Sequence, residues 1–232
     1  MKSEIIIDSK FCGPKNSGNG GYVCGLMAEH VGGVVEVTLQ KPPPLGRPLR
    51  IDDADGSGIS LFDGNGLVAQ ARPASLDVNV PTPPSFKAAV EAAKAYRGFT
   101  YHPLPHCFVC GTKRRDGMRI FAGPVEGHGM VASPWIPNSS MSDETGQVRP
   151  EFLWAAMDCP GAFAIDGHQT RLLGRLTGRI DRGVQTGEQC VAIGWHISTD
   201  GRKSLTGTAV FDSSGRLCGS AKATWIEVKP TP

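Results

Sequence analysis

Two short stretches of this sequence carry residues whose chemistry is out of keeping with their surroundings. In LWAAMDCPG, from Leu153 to Gly161, a single acid, Asp158, stands among apolar neighbours. Burying a carboxylate there is costly unless it is hydrated, paired or at work. Such a group serves as a general base or a nucleophile; its structural alternative is to cap the turn before Pro160. In NSGNGG, from Asn16 to Gly21, missing side chains let a ligand come close to the backbone, and Asn19 is suited to cap a following helix. Free N–H groups and the helix dipole at such a helix start favour a negatively charged ligand atom. The alternative is a flexible loop with an ordinary N-cap.

Other candidate chemistry is weaker. Cys107 and Cys110 form a CxxC with His102 and His106 nearby. A structural zinc site needs four ligands, usually as two pairs, and the chain has no second CxxC, so the expectation is no metal and no cofactor. Cys159, beside Asp158, is the one attractive thiol nucleophile, although free cysteine is more often a small buried hydrophobe. The glycine strings lack dinucleotide or P-loop spacing. Lys113-Arg114-Arg115 reads as a solvated turn, and 24 basic against 22 acidic residues give a net charge of +2, so no nucleic-acid partner is expected.

The elements that must position these residues are mostly strands. Glycine (30) and proline (18) punctuate short runs rich in Val, Ile, Leu and Thr. Helices are expected over Tyr22 to Val31 and Phe152 to Ile165, both apolar nearly all round and therefore in need of a wrapper. A third, Pro84 to Tyr96, reads as a surface element leading into a linker. With 232 residues there is room for one large domain or two small ones. The run from Met1 to Asp8 is too brief for a signal-peptide core, no apolar window is long enough for a membrane span, and the seven cysteines read as reduced thiols; the expectation is a cytoplasmic protein.

The chain also repeats itself. Leu61 to Val78 can be laid over Val210 to Glu227 without a gap, so that Phe62, Asp63, Gly66 and Ala74 meet Phe211, Asp212, Gly215 and Ala223. Each segment reads as strand, tight turn, strand. Upstream of each lies a strand, a turn with glycine and another strand, Val34 to Ile51 and Leu173 to Ile193, and upstream again an apolar helix. The organisation expected is a tandem duplication: residues 1–80, a linker with a helix at 81–105, and residues 106–232.

That order, with GNGGY at residues 18–22, PLGRPL at 44–49, and CFVCG at 107–111 followed by GMRI at 117–120, resembles the hotdog fold of the acyl-CoA thioesterase and dehydratase superfamily. The last piece is similar to the opening strand of the phenylacetate-pathway type of thioesterase. The resemblance implies an α+β double hotdog, each unit a curved antiparallel sheet wrapped around a central apolar helix. It also implies an acyl-CoA hydrolase in which helix N–H groups on one unit polarise the thioester carbonyl and a helix carboxylate on the other activates water or attacks. Carried onto this chain, Asp158 is the catalytic carboxylate that activates water or attacks, and Asn19, Gly20 and Gly21 bind substrate. Pro150, which has no N–H, makes the second helix the poorer nest, and Glu29 on the first helix therefore lacks a partner, so one working site is expected rather than two. Ser139, Ser140, Thr177 and Gln185 are available to hold the water. A hydratase would want a His near a helix start, which neither helix has. The rival outside enzymes is a hotdog protein that binds an acyl-CoA or lipid-like ligand without turning it over. By analogy with other hotdog pairs, two chains associate.

Overall fold

A computed structural model describes residues 4–53 and 56–228; Met1 to Ser3, the start of the N-terminal run considered above, lie outside them. The first half contains β1 (Glu4–Ile6), helix α1 (Gly20–Val31), β2 (Val35–Leu39), β3 (Pro48–Asp53), β4 (Ile59–Asp63) and β5 (Gly66–Pro73). Helix α2 (Phe86–Lys94) follows. The second half contains β6 (Gly123–Val125), β7 (Met130–Trp135), helices α3 (Pro150–Ala156) and α4 (Cys159–Phe163), β8 (Arg171–Ile180), β9 (Cys190–Asp200), β10 (Lys203–Phe211) and β11 (Leu217–Glu227).

Among the described residues the strands form one sheet in the order β1-β3-β4-β5-β2-β8-β11-β10-β9-β7-β6. The first five positions, read inward, are 1-3-4-5-2. The second half, read inward from β7, is 7-9-10-11-8, the same order, with β6 added at the edge. The halves meet at the antiparallel pair β2–β8, where Val37 faces Leu176. The two hairpins that match in sequence also match in irregularity: the register slips between Leu61 and Phe62 on β4 and between Val210 and Phe211 on β10. An extra residue at the same place in each hairpin bends both strands alike.

A second repeat precedes the helices. The Asn19 N–H donates to Phe11 O and the Arg149 N–H to Met141 O; the Gly13 N–H donates to Ser17 O and the Asp143 N–H to Gln147 O. Asn16 and Gly146 hold matching positive-φ positions, at 62° and 81°. Gly20 thus corresponds to Pro150, Gly21 to Glu151, and Ala28 to Asp158.

Three expectations are corrected. Phe152 to Ile165 is two helices, because the Pro160 ring has no N–H and clashes with the carbonyl four residues back, so the chain breaks between α3 and α4 at Asp158 (φ −85°, ψ −80°). The CFVCG segment is a turn and not an opening strand: the Gly111 N–H closes on Cys107 O at 2.8 Å, and the Phe108 N–H donates to Cys12 O at 2.7 Å. Phe108 also stacks edge-on against Phe11, ring centres 4.9 Å apart, which ties this turn to the lead-in of α1. Finally, α2 is half embedded: Ala89 and Ala92 are buried, and Ala89 joins Met130, Ala132, Val191 and Ile193 in a small second core. Alternating alanine with charge gave it one apolar face, enough to cover β6 and β7.

Helix α1 is buried along Tyr22, Val23, Cys24, Met27 and Ala28. Two of its glycines set how closely α3 can approach. A Cβ on Gly21 would lie 2.5 Å from Asp158 Cβ and 2.7 Å from Trp154 O; one on Gly25 would lie 2.5 Å from Glu151 Cα. Only a residue without a side chain fits at either point. Among the described residues no helix is long and apolar enough to cross a membrane.

Gly25→Ala is therefore expected to destabilise the protein by at least about 2 kcal/mol, the overpacking cost outweighing the roughly 1 kcal/mol that alanine gains in helix propensity. Urea denaturation measures it; a variant as stable as the parent contradicts the close-packed α1–α3 contact.

Candidate active site

Asn19 is the N-cap of α1, and its side chain is used at both ends. Its Oδ1 accepts from the Tyr22 N–H at 2.9 Å, while its Nδ2 donates to Asp158 Oδ2 at 2.8 Å and lies 3.8 Å from Cys107 Sγ. The Gly21 N–H donates to the same Asp158 oxygen at 2.9 Å. The carboxylate from the break between α3 and α4 is thus held at the positive end of α1, in the other half of the chain. Its side chain makes no cap on α4 and instead accepts from the first turn of α1.

Asp158 is only 3% exposed, and its second oxygen, Oδ1, is buried without a hydrogen-bond partner. Burial pushes its carboxyl up from 3.8 to about 7; the Gly21 N–H opposes this, the nearby Cys107 adds to it, and the Asn19 amide opposes it. Desolvation outweighs two favourable donors because it acts on the whole charge. One oxygen is anchored and the other is buried without a partner, a costly arrangement that marks Asp158 as a candidate functional group.

Asp158 forms part of the wall of a pocket of about 370 Å³. Its walls are mainly apolar, with Leu39, Leu173, Phe163, Trp225 and Ile226 among them, and the 81–105 segment contributes Arg97, Tyr101, His102, Pro103 and Leu104. Lys15, Lys41, Arg97 and Arg171 line it against one carboxylate, Asp158. Gly20 lines it too, and its N–H has no acceptor among the described residues. The two amides expected to form a nest therefore differ: Gly21 is engaged by Asp158 itself, and Gly20 is open.

Three thiols complete the floor. Cys107, Cys110 and Cys159 are buried, and their sulfurs lie within 4.8 Å of one another. Hydrogen bonds from Cys110 and Cys159 hold Cys107 well below the usual thiol range; burial pushes Cys110 well above it, and the bond with Cys107 does the same to Cys159. The hydrogen bond between Cys107 and Cys159 thus lowers the former and raises the latter. The fold brings Cys159 to the CxxC, which therefore has the companion that the sequence spacing does not show. Neither histidine joins. His102 Nδ1 accepts from the Leu104 N–H and its Nε2 meets Cys110 O, while His106 is exposed.

The water-holding candidates are elsewhere. Ser139, Ser140 and Gln185 are exposed, and Thr177 on β8 donates to Glu36 Oε2; none of the four lines the pocket. Glu29 is exposed, and Ala28 rather than Glu29 occupies the place equivalent to Asp158. Arg114 pairs with Asp116 at 2.7 Å and stays away from the pocket with its basic neighbours.

Neither a family model nor a curated protein sequence matches the chain. Its fold is matched across its length by solved structures of low identity. The tesB protein of Mycobacterium avium subsp. paratuberculosis is 12% identical, with 97% of this chain and 92% of that one covered at a TM-score of 0.63. A candidate thioesterase of Novosphingobium aromaticivorans is 15% identical, with 97% and 95% covered at 0.60. A conserved protein of unknown function with a hot dog fold from Alicyclobacillus acidocaldarius is 11% identical, with 98% and 93% covered at 0.60. The chain has an α+β hotdog fold.

The raised carboxyl of Asp158 makes a signed prediction for stability. The folded chain keeps a proton that the unfolded chain releases near pH 3.8, so this stabilisation is complete below that pH and lost as pH rises through about 7. In protein stripped of metal with a chelator, wild type is expected to lose stability relative to Asp158→Asn across that interval and to level off above it. Urea midpoints of both proteins from pH 4 to 8 measure the difference; a difference independent of pH contradicts a buried, titrating Asp158.

Proposed function

We propose that this chain is an acyl-thioester hydrolase, with coenzyme A as the carrier, working at one site between two hotdog units formed by residues 1–80 and 106–232. The observation that carries the reading is the Asp158 carboxylate, anchored through Oδ2 across the two halves and free at Oδ1 beside a mainly apolar pocket. The thioesterase names among the structural neighbours support the reaction class. The repeated strand order supports the division into two units, with 81–105 as a linker that adds one wall.

In this reading the acyl chain lies along Leu39, Leu173 and Trp225, and the thioester carbonyl accepts from the open Gly20 N–H. Asp158 Oδ1 takes a proton from water as the water oxygen bonds to the carbonyl carbon. The C–S bond then breaks, and the proton passes to the departing thiolate. Gly21 and Asn19 hold the base rather than the substrate. Lys15, Lys41 and Arg171 suit the phosphates of a coenzyme A tail. The reduced thiols favour a cytoplasmic setting.

One observation favours a second reading, a protein that binds acyl-CoA without hydrolysing it. The Gly21 N–H is committed to Asp158, which leaves a single backbone donor at this helix start for an oxyanion.

Release of free thiol from short, long and aromatic acyl-CoAs separates the two. The hydrolase reading expects turnover that falls by roughly 10²- to 10⁴-fold in Asp158→Asn; turnover undiminished in that variant, or tight binding with no turnover by wild type, overturns it. Asn19→Ala is expected to lower kcat more than it raises KM, because Asn19 orients the base, and to cost about 1 kcal/mol of stability as a lost cap.

A further inference from the structure

We propose that Cys107, Cys110 and Cys159 hold one thiophilic divalent metal ion of the Zn²⁺ class, with its fourth position open to the pocket. Four sulfurs about 2.3 Å from a tetrahedral zinc lie about 3.8 Å apart. Cys107 Sγ and Cys159 Sγ are 3.8 Å apart, and all three sulfurs fall within 4.8 Å of one another. No other His, Cys or carboxylate among the described residues joins the group, so the fourth position is left to water or a ligand thiol. The three sulfurs border the pocket, which places that position in the space Asp158 also faces.

The turn carrying two of the ligands is built to present them. The Cys107 N–H donates to Leu104 O at 2.9 Å and the Gly111 N–H to Cys107 O at 2.8 Å, which folds the CxxC back on itself. Gly111 closes the turn, and a Cβ there would meet Cys107 O at 2.5 Å, Cys107 N at 2.6 Å and Pro105 O at 2.7 Å. The third sulfur arrives from the first residue of α4, whose position is set by the helix break at Asp158. The Asn19 amide, 3.8 Å from Cys107 Sγ, supports the same sulfur from α1. The sulfurs thus come from two separate segments, converging beside a side-chain amide that satisfies one of them. Binding of the ion releases the remaining thiol protons to solvent.

The site stands independently of the hydrolase reading, and the two fail separately. Elemental analysis of full-length protein produced in zinc-supplemented medium and purified under reducing conditions is expected to find about one zinc per chain. Replacing zinc by Co²⁺ is expected to give the near-ultraviolet sulfur-to-cobalt band and the intense visible bands of a tetrahedral site. Cys107→Ser, Cys110→Ser and Cys159→Ser should each lower loading at least tenfold, while Cys218→Ser should leave it unchanged. Should the serine variants fail to fold, the cobalt spectrum of wild type and the protection of three thiols from a thiol reagent by bound metal decide the matter. Wild type that takes up neither ion, a Cys107–Cys159 disulfide in its place, or full loading in all three variants overturns the site. Asp158→Asn that keeps its zinc but lacks turnover supports both readings; zinc-loaded wild type without turnover sinks only the hydrolase.

Discussion

The structure depends on the close approach of α1 to α3 at Gly21 and Gly25. With any side chain at these two positions the helices would stand apart, and Asp158 could not reach the N-terminus of a helix in the other half. The contact brings a charge into a nearly dry place and compensates it only in part. Two donors and the positive end of α1 favour the carboxylate, while desolvation opposes it more strongly, which leaves the carboxyl poised at about 7. A group balanced this way near neutral pH can both take and return a proton.

The two halves are alike in strand order, in the slipped hairpin and in the loop before the helix, yet they differ where the α1 N-terminus meets Asp158. Where one half has Gly20 and Gly21, the other has Pro150 and Glu151; where one has Asp158, the other has Ala28. Proline removes the N–H equivalent to that of Gly20, and alanine removes the acid, so the equivalent place on the other side lacks both the open N–H and the carboxylate. One half supplies the helix start and the other supplies the carboxylate.

Much of this was legible in the sequence, for reasons that can be traced to particular residues. Asp158 stood out because an acid among apolar residues must be accounted for, and the Gly-rich stretch before Tyr22 because glycine is costly without a use for it. The hairpin repeat was visible because its turn residues and Phe62 and Phe211 sit at the same spacing. What escaped were consequences of tertiary contact. Nothing local in the sequence says that Gly21 donates to Asp158 instead of standing open, or that Gly25 exists to admit Glu151. The convergence of Cys159 on the CxxC depends on the break that Pro160 makes, and Pro160 was the available signal: a proline deep in an apolar helix marks its end. CFVCG was expected to be a strand on the strength of the resemblance alone, whereas Gly111 and the packing of Phe108 on Phe11 make it a turn.

A crystal structure with a non-hydrolysable thioether analogue of an acyl-CoA, grown above pH 7.5 so that Asp158 is ionised, tests the central claim most directly. The account expects the analogue's carbonyl surrogate within about 3 Å of the Gly20 N–H, with a water between its carbon and Asp158 Oδ1, and Oδ2 still held by Gly21 and Asn19. An analogue seated away from Asp158, or a carboxylate that leaves Gly21 and turns from the ligand, would contradict it.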